Sequence, residues 1–426
     1  MKKIGDMGSF IKKIIFVGMG SVLIGFLLMV LVYLLPTEPM KINVQKSAAE
    51  LHGEGDWPTL INGYSSSTLD NFTDRIMLSI AIFDNHTSVL VEAMQNCYAM
   101  VSPDMLPTES LQAYLRNEDC YGEDYARYWH GYLVILKPLL LLFSYSDLRI
   151  LNIVVLSLLV AYVASLIGKK LPKGATAVFV AAFVFLMPIT LLLCLDMANM
   201  FYVTLIALIV LLKRSEFWKA GYNVFLYFFV VGIVTSYMDL LTYPIITLGI
   251  PLATYMALCI CEEKQSSMGR NSILSMIFWG LGYGGMWSAK WVLASIISGE
   301  NVILNALQTV KTRSGMRVEE SALLQRVRSV GNNFAVLWES VYGVVLTVLI
   351  LFMITLLIWN YYKYRTNEKR KCLLNFLLVA VVPIVWLFAT SEHASIHSWF
   401  TYRNLVVSIY ALGMLNVCLC AITKKE

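Results

Sequence analysis

The stretch Gly131–Tyr145, GYLVILKPLLLLFSY, decides the topology of this chain. It is apolar, yet it carries Lys137 and Pro138 in its middle. If it crosses a membrane, every later helix reverses direction, and the basic clusters discriminate between the two cases. Kept on one side, it places Lys169/Lys170/Lys173, Lys213/Arg214/Lys219, Lys264/Arg270, Lys363/Arg365/Lys369/Arg370/Lys371 and Lys424/Lys425 all on the side of the amino terminus. Counted as a span, it exports every one of them. The segment is expected to lie as a juxtamembrane helix in the outer interface, the alternative being an eleventh span.

The surroundings fit a membrane protein. The chain is 58% hydrophobic and only 14% charged, with a mean hydropathy of +0.67, where a soluble domain has about 25% charged residues. About ten segments approach the ~20 residues that cross a bilayer. They are Ile14–Leu35, Arg149–Gly168, Thr176–Leu193, Met200–Leu212, Val224–Tyr237, Leu241–Ile260, Ile273–Ile297, Phe334–Trp359, Leu373–Ala389 and Asn404–Ile422. The expected fold is therefore an all-α polytopic bundle of one domain, residues 1–426. Lys2, Lys3, Lys12 and Lys13 precede the first span, and a Pro-Thr-Glu-Pro exit without a small-x-small cleavage site reads as a retained signal anchor. Both termini are expected in the cytoplasm of a multi-pass cell-membrane protein.

With that topology the polar chemistry gathers outside. The first outer loop, residues 36–148, is rich in carboxylates and aromatics, and a second one spans 298–333. All five histidines fall on the outer side, whereas the inner loops are short and basic, without a Gly-rich phosphate loop or nucleotide fingerprint. An exported site has no cytosolic nucleotide sugar or ATP, so its substrate must arrive already activated. The net charge of +5 is mostly the cytoplasmic positive-inside signal and gives no reason to expect a nucleic-acid partner.

Within the first loop, Ser67/Thr68 offers an N-cap for a helix over Leu69–Phe83 with an apolar stripe. Asp70 and Asp74, four residues apart, project from one face of it. Two solvated acids in a first helical turn would look the same as a general base with its neighbour. Further on, Glu123–Tyr132 crowds aromatics around Arg127 and His130. Aromatics at a headgroup boundary are ordinarily anchors, but a cation and an imidazole there also suit a phosphate or a sugar hydroxyl.

Ionisable groups in or at the ends of spans are costly to bury and are functional candidates by default. They include Lys290 in Trp287-Ser-Ala-Lys290-Trp291, for which snorkelling is the plain alternative, and Asp239, Glu339 and Arg403. Glu392–Arg403 brings His393 and His397 together in one short loop. Two histidines four apart can bind metal, but no acid separates them, and no metal site is expected. Cys97 and Cys120 share the outer loop and can pair in an oxidising compartment.

The layout of residues 1–170 resembles the GT-C superfamily of integral membrane glycosyltransferases, specifically the branch of protein mannosyltransferases and lipid A aminoarabinose transferases. The matching pieces are a span, an outer loop with the early acids Asp70/Asp74, and His130-Gly-Tyr-Leu-Val-Ile-Leu-Lys-Pro138 leading an interfacial helix. A turn at Ser144–Leu148, Arg149 opening the second span, and the basic Lys169-Lys170-Leu-Pro-Lys173 complete it. The family's acidic pair is tighter and nearer the first span, and its interfacial helix often opens His-Pro-Pro; this chain has neither. It also resembles multispan proteins of bacterial surface-polysaccharide loci.

The resemblance implies transfer of a sugar from a polyprenyl-phosphate donor to a glycan or lipid acceptor on the outer leaflet. Inversion at the anomeric carbon would use Asp70, or second Asp74, as base. Arg127, Lys290 and Arg403 would meet the phosphate, and His130, Asp239, His393 and His397 the sugar or acceptor. Neither cofactor nor metal is required. The loop 298–333, with Lys311, Arg313, Arg317, Arg326 and Arg328, would cover the lipid carrier. The rivals are a polysaccharide polymerase or ligase, whose large outer loop usually comes late, and a transporter or flippase, which should show repeats and midplane charges. A non-catalytic membrane scaffold is a third.

Overall fold

The computed structural model describes residues 2–219, 221–261, 268–315, 322–363 and 366–423; Lys264, Arg317, Arg365, Lys424 and Lys425 lie outside them. The chain starts with α1 (Lys2–Tyr33) and continues through five short helices, α2 (Thr37–Lys46), α3 (Ala48–Glu54), α4 (Asn71–Ile82), α5 (Val89–Gln95) and α6 (Pro107–Leu115). Strands β1 (Tyr98–Met100) and β2 (Tyr121–Glu123), on either side of α6, pair as an antiparallel ribbon with Ala99 opposite Gly122. Next come α7 (Leu133–Leu140), α8 (Tyr145–Lys170), α9 (Ala175–Phe185), α10 (Pro188–Leu193), α11 (Leu195–Lys213) and α12 (Ser215–Lys219). α13 (Asn223–Met238), α14 (Ile246–Cys261) and α15 (Met268–Ser298) are followed by α16 (Val302–Arg313) and α17 (Ala322–Leu337). The last elements are α18 (Ser340–Lys363), α19 (Asn367–Ala389), α20 (Ser391–Ile396), α21 (Ser398–Thr401) and α22 (Val406–Thr423).

The molecule is all-α, as expected. Among the described residues, six helical stretches are long and apolar enough to cross a membrane: Met7–Tyr33, Tyr145–Lys170, Leu195–Lys213, Ser340–Trp359, Asn367–Ala389 and Ser398–Ile422. That is fewer than the ten expected. The segment Thr176–Leu193 is broken where Met187 turns left-handed (φ 56°) ahead of Pro188, which separates α9 from α10. α13 and α14 have 16 residues each, about 24 Å of helix against ~30 Å of hydrocarbon. α15 is long enough at 31 residues, but its glycines, serines and Lys290 dilute its apolar character. It packs backbone-close on α13, because Gly232 abuts the Trp279 carbonyl and Gly282 that of Phe229; any Cβ at either position would collide.

Gly131–Tyr145 does not form a spanning helix. Its helical part, α7, has eight residues, about 12 Å. Lys137 donates to the Ala81 carbonyl at 2.7 Å and lies 4.6 Å from the centre of the Tyr33 ring, so its charge is held by the loop. Ser144 and Asp147 then form a reciprocal cap that starts α8 afresh.

The loop helices form a cap on one end of the bundle, tied to successive helix ends. Asn96 donates to the Tyr33 hydroxyl, Ser146 to Ser47 and the Gly131 N–H to the Tyr237 carbonyl. Ser65 and Ser66 donate to Glu339, just before α18. Arg149 grips Glu54 through two bonds of 2.6 and 2.8 Å, joining the foot of α8 to α3. Cys97 and Cys120 pack in one small apolar cluster under the ribbon, but both are free thiols.

Candidate functional site

The helix expected over Leu69–Phe83 begins two residues later, because Asp70, and not Ser67 or Thr68, is its N-cap. Its carboxylate accepts the Thr73 N–H at 3.0 Å and the Thr73 hydroxyl at 2.8 Å. Ser65–Ser67 forms a separate 3₁₀ turn instead. Asp70 is 4% exposed. Burial pushes its carboxyl up to about 6, against the two Thr73 hydrogen bonds and with help from the charge of Asp74.

Asp74, one turn on, is 1% exposed and has both oxygens occupied. Oδ1 accepts the Asp196 N–H at 2.8 Å, and Oδ2 accepts the Leu195 N–H at 2.9 Å and the Tyr145 hydroxyl. The side chain thus caps the amino end of α11 while bonding the first residue of α8. Burial raises its carboxyl, and these three donors pull the other way. Both expected catalytic acids are buried, and their surroundings differ: Asp70 bonds its own turn through Thr73 and meets the Trp57 side chain, whereas Asp74 joins three elements.

Next to them stands an acid outside the expected set. Asp196, in the first turn of α11, is 1% exposed, and neither carboxylate oxygen has a hydrogen-bond partner among the described residues. The charges that face it are Asp70, Asp74, Asp239 and Arg403. Asp239 caps the end of α13, accepting the Thr242 N–H and hydroxyl on Oδ1 and the Tyr283 hydroxyl at 2.9 Å on Oδ2. Burial lifts its carboxyl to about 6. Arg403 is fully buried and donates to the carbonyls of Leu186, Trp399 and Ser66 and to Thr190 Oγ1, lying against the Tyr243 and Tyr402 rings. Its charge therefore faces the acids as a fixed field.

Two cavities flank this cluster. A groove of about 660 Å³ follows α11 from Leu195 to Val210, walled by α7, α8 and α13 and almost wholly apolar. Asn152, Asn199, Tyr132, Tyr202, Trp218 and Tyr227 are its few residues with polar side-chain atoms. Its wall includes Met238; three residues later Leu241 lines the second, a cavity of about 100 Å³ with Arg127, Arg313, Trp287, Trp291 and Trp386. Asp239 sits on the short link between the two. Leu241 holds a left-handed φ of 67°, a conformation that costs a bulky residue on the order of 1–3 kcal/mol and persists where surrounding structure imposes it.

The remaining expected residues divide between these places. Arg127 lines the small cavity, and its carbonyl accepts the Trp287 and Trp291 indoles. His393 stands behind the same cavity. Its Nε2 faces the Leu241 carbonyl at 2.7 Å and must carry the proton, so Nδ1 accepts from Arg313 at 2.8 Å. His397 stacks on Phe400 and packs against His393. Burial lowers both imidazoles, His397 to about 4, and the Arg313 charge adds to it.

Two others stand elsewhere. His130 is fully buried, donating from Nε2 to the Tyr125 carbonyl and accepting the Tyr132 hydroxyl on Nδ1, both at 2.9 Å. Burial pushes its imidazole down to about 3, so it stays neutral. Gly131 beside it allows the chain to lie against Tyr237, whose ring and carbonyl occupy the place of a Cβ. Lys290 donates to the Met94 carbonyl at 2.8 Å and to Asn96 Oδ1 at 2.7 Å, at the end of α5. These bonds satisfy it inside the protein.

Asp196, Trp386 and Tyr283 are functional candidates that the sequence pattern does not single out. Asp196 directly follows a cysteine and a leucine at the start of an apolar run, a position that signals a buried carboxylate. Among the described residues, no three His, Cys, Asp or Glu side chains gather at metal-binding spacing. No family model, curated protein or solved structure matches the chain.

Proposed function

We propose that this is a multi-pass membrane glycosyltransferase that moves a sugar from a polyprenyl-phosphate donor to a cell-surface glycan or lipid acceptor on the outer face. Both termini are then cytoplasmic and the chain crosses ten times, with α9–α10, α13, α14 and α15 completing the six long spans. The alternation of helix ends at the capped face supports that count. The observation that carries the function is the ending of an apolar groove at buried acids: Leu195 walls the groove, and Asp196 follows it. Eight residues of α11, spread from Leu195 to Val210, line the groove over some 22 Å, and its volume is that of a ligand cavity. A prenyl chain lying there would bring its phosphate-linked sugar to Asp70, Asp196 and Asp239.

In the reaction the acceptor hydroxyl attacks the anomeric carbon while its proton passes to the Asp70 carboxylate. The bond from that carbon to the phosphate oxygen breaks, and the phosphate leaves with the electron pair. A carboxyl lifted to about 6 is near the range where a base is most effective at neutral pH. The free oxygens of Asp196 can hold a sugar or acceptor hydroxyl, and the buried charge of Arg403 offsets the negative charge gathered there.

The test is transfer from a radiolabelled polyprenyl-phosphate sugar by the full chain in nanodiscs, with long-chain and short-chain prenyl donors compared. Ala207→Phe fills the groove far from the acids and should raise KM for the long donor alone, by about tenfold or more. Absence of transfer from every lipid-linked sugar offered, or equal loss with both donors, would count against this function.

A further inference from the structure

We propose that the small cavity beside Asp239 binds a sugar ring bearing an oxyanion, a carboxylate or a phosphate, so that the substrate handled here is an acidic glycan. This rests on the transferase function only in calling the ligand a substrate; the binding itself follows from the cavity. Two guanidinium groups, Arg127 and Arg313, line it together with Tyr128, Trp287, Trp291 and Trp386, and no carboxylate does. Among the described residues, neither arginine has an acid within ion-pair distance. Asp124 feels the charge of Arg127, and Tyr128 feels both Asp239 and Arg313.

The two cations are held in place before any ligand arrives. Arg127 lies 4.7 Å from the Tyr125 ring centre and 5.9 Å from that of Tyr128, and its Nε is buried without a partner. Arg313 is aimed by His393, whose Nδ1 takes one of its N–H groups, while His393 is itself fixed by the Leu241 carbonyl. Both arginines are half-buried, and guanidinium forks held in a pocket without a carboxylate are satisfied by a planar or tetrahedral oxyanion through paired hydrogen bonds. The aromatic walls, with Tyr128 stacked on Trp287 at 5.8 Å and 17°, suit the apolar face of a sugar ring. At about 100 Å³, against ~30 Å³ for each water in the liquid, the cavity has room for an oxyanion and part of the ring that carries it.

The experiment measures equilibrium binding to the full chain in nanodiscs, without lipid donor, of trigalacturonate, its fully methyl-esterified form and mannose 6-phosphate. Tighter binding of the acid than the ester by at least about tenfold assigns a carboxylate. Binding of mannose 6-phosphate with the acid no tighter than its ester assigns a phosphate. Arg127→Gln and Arg313→Gln should each weaken the anionic ligand by about tenfold and leave the ester unchanged, with Arg→Lys at each position losing less. Equal binding of acid and ester together with none of mannose 6-phosphate would overturn the proposal. So would anion binding indifferent to both arginine replacements in proteins that melt like the wild type. No transfer is read, so failure here leaves the donor groove and Asp70 untouched.

Discussion

Replacing Asp74 with Asn should damage the fold before it touches chemistry. The two carboxylate oxygens each face an obligatory donor, Oδ1 the Asp196 N–H and Oδ2 the Leu195 N–H. An amide turned either way puts its NH₂ against a backbone N–H that can only donate. One hydrogen bond is lost, worth about 0.5–3 kcal/mol depending on the charge of the acceptor. A buried N–H is also left without an acceptor, a further cost of about 1–3 kcal/mol. The sum, on the order of 3–5 kcal/mol, is a large part of the 5–15 kcal/mol by which a domain is usually stable. At roughly 2 °C per kcal/mol in a chain of this size, the melting temperature should fall by about 5–10 °C. The buried thiols supply the assay, since a thiol-reactive fluorophore reports Cys194, Cys259, Cys372 and Cys418 as they become accessible on heating. Cys194 Sγ lies 3.6 Å from Asp74 Oδ1, so its labelling should advance first. A variant melting within 1 °C of the wild type would refute the claim that Asp74 is a joint.

Asp70→Asn keeps the N-cap acceptor and should melt normally while losing about 10²–10⁴ in transfer rate; a well-folded variant with normal turnover removes Asp70 as base. Because a base works unprotonated and Asp70 is lifted to about 6, wild-type kcat/KM should be flat above that pH and drop about tenfold per unit below it, and a profile flat to pH 5 contradicts the assignment. Lys290→Met strands the Met94 carbonyl and Asn96 Oδ1, so a stability loss of about 2–4 kcal/mol is expected; a normal melt with weakened donor affinity would return Lys290 to the donor site. Cysteines placed at Asn117 and Ser146 in a cysteine-free background should both be labelled from outside the cell, and labelling from opposite sides would mean that Gly131–Tyr145 crosses.

The parts of the fold that were legible are those set by local composition. α1, α8, α11, α18, α19 and α22 announce themselves by apolar length, and Lys137–Pro138 with the basic clusters marks the segment that does not span. The break at Met187–Pro188 was hidden, because a proline within an apolar run can kink a helix or end it, and packing decides which. The buried charges show the same limit more sharply. Composition shows that Lys290 and Arg403 are costly to bury, which suggests a ligand for each, and helix spacing suggests a base or its helper in Asp74. The partners that meet these charges lie far along the chain: Asn96 for Lys290, the amides of Leu195 and Asp196 for Asp74, and the Leu186 and Ser66 carbonyls for Arg403. Those partners account for the burial of these three charges without a ligand. Asp196 has two oxygens with no such partner, and Arg127 a buried Nε. The weight of the candidate site therefore moves from charges whose partners the fold supplies to two of those it leaves partly unmet, Asp196 at the end of the apolar groove and Arg127 in the aromatic cavity.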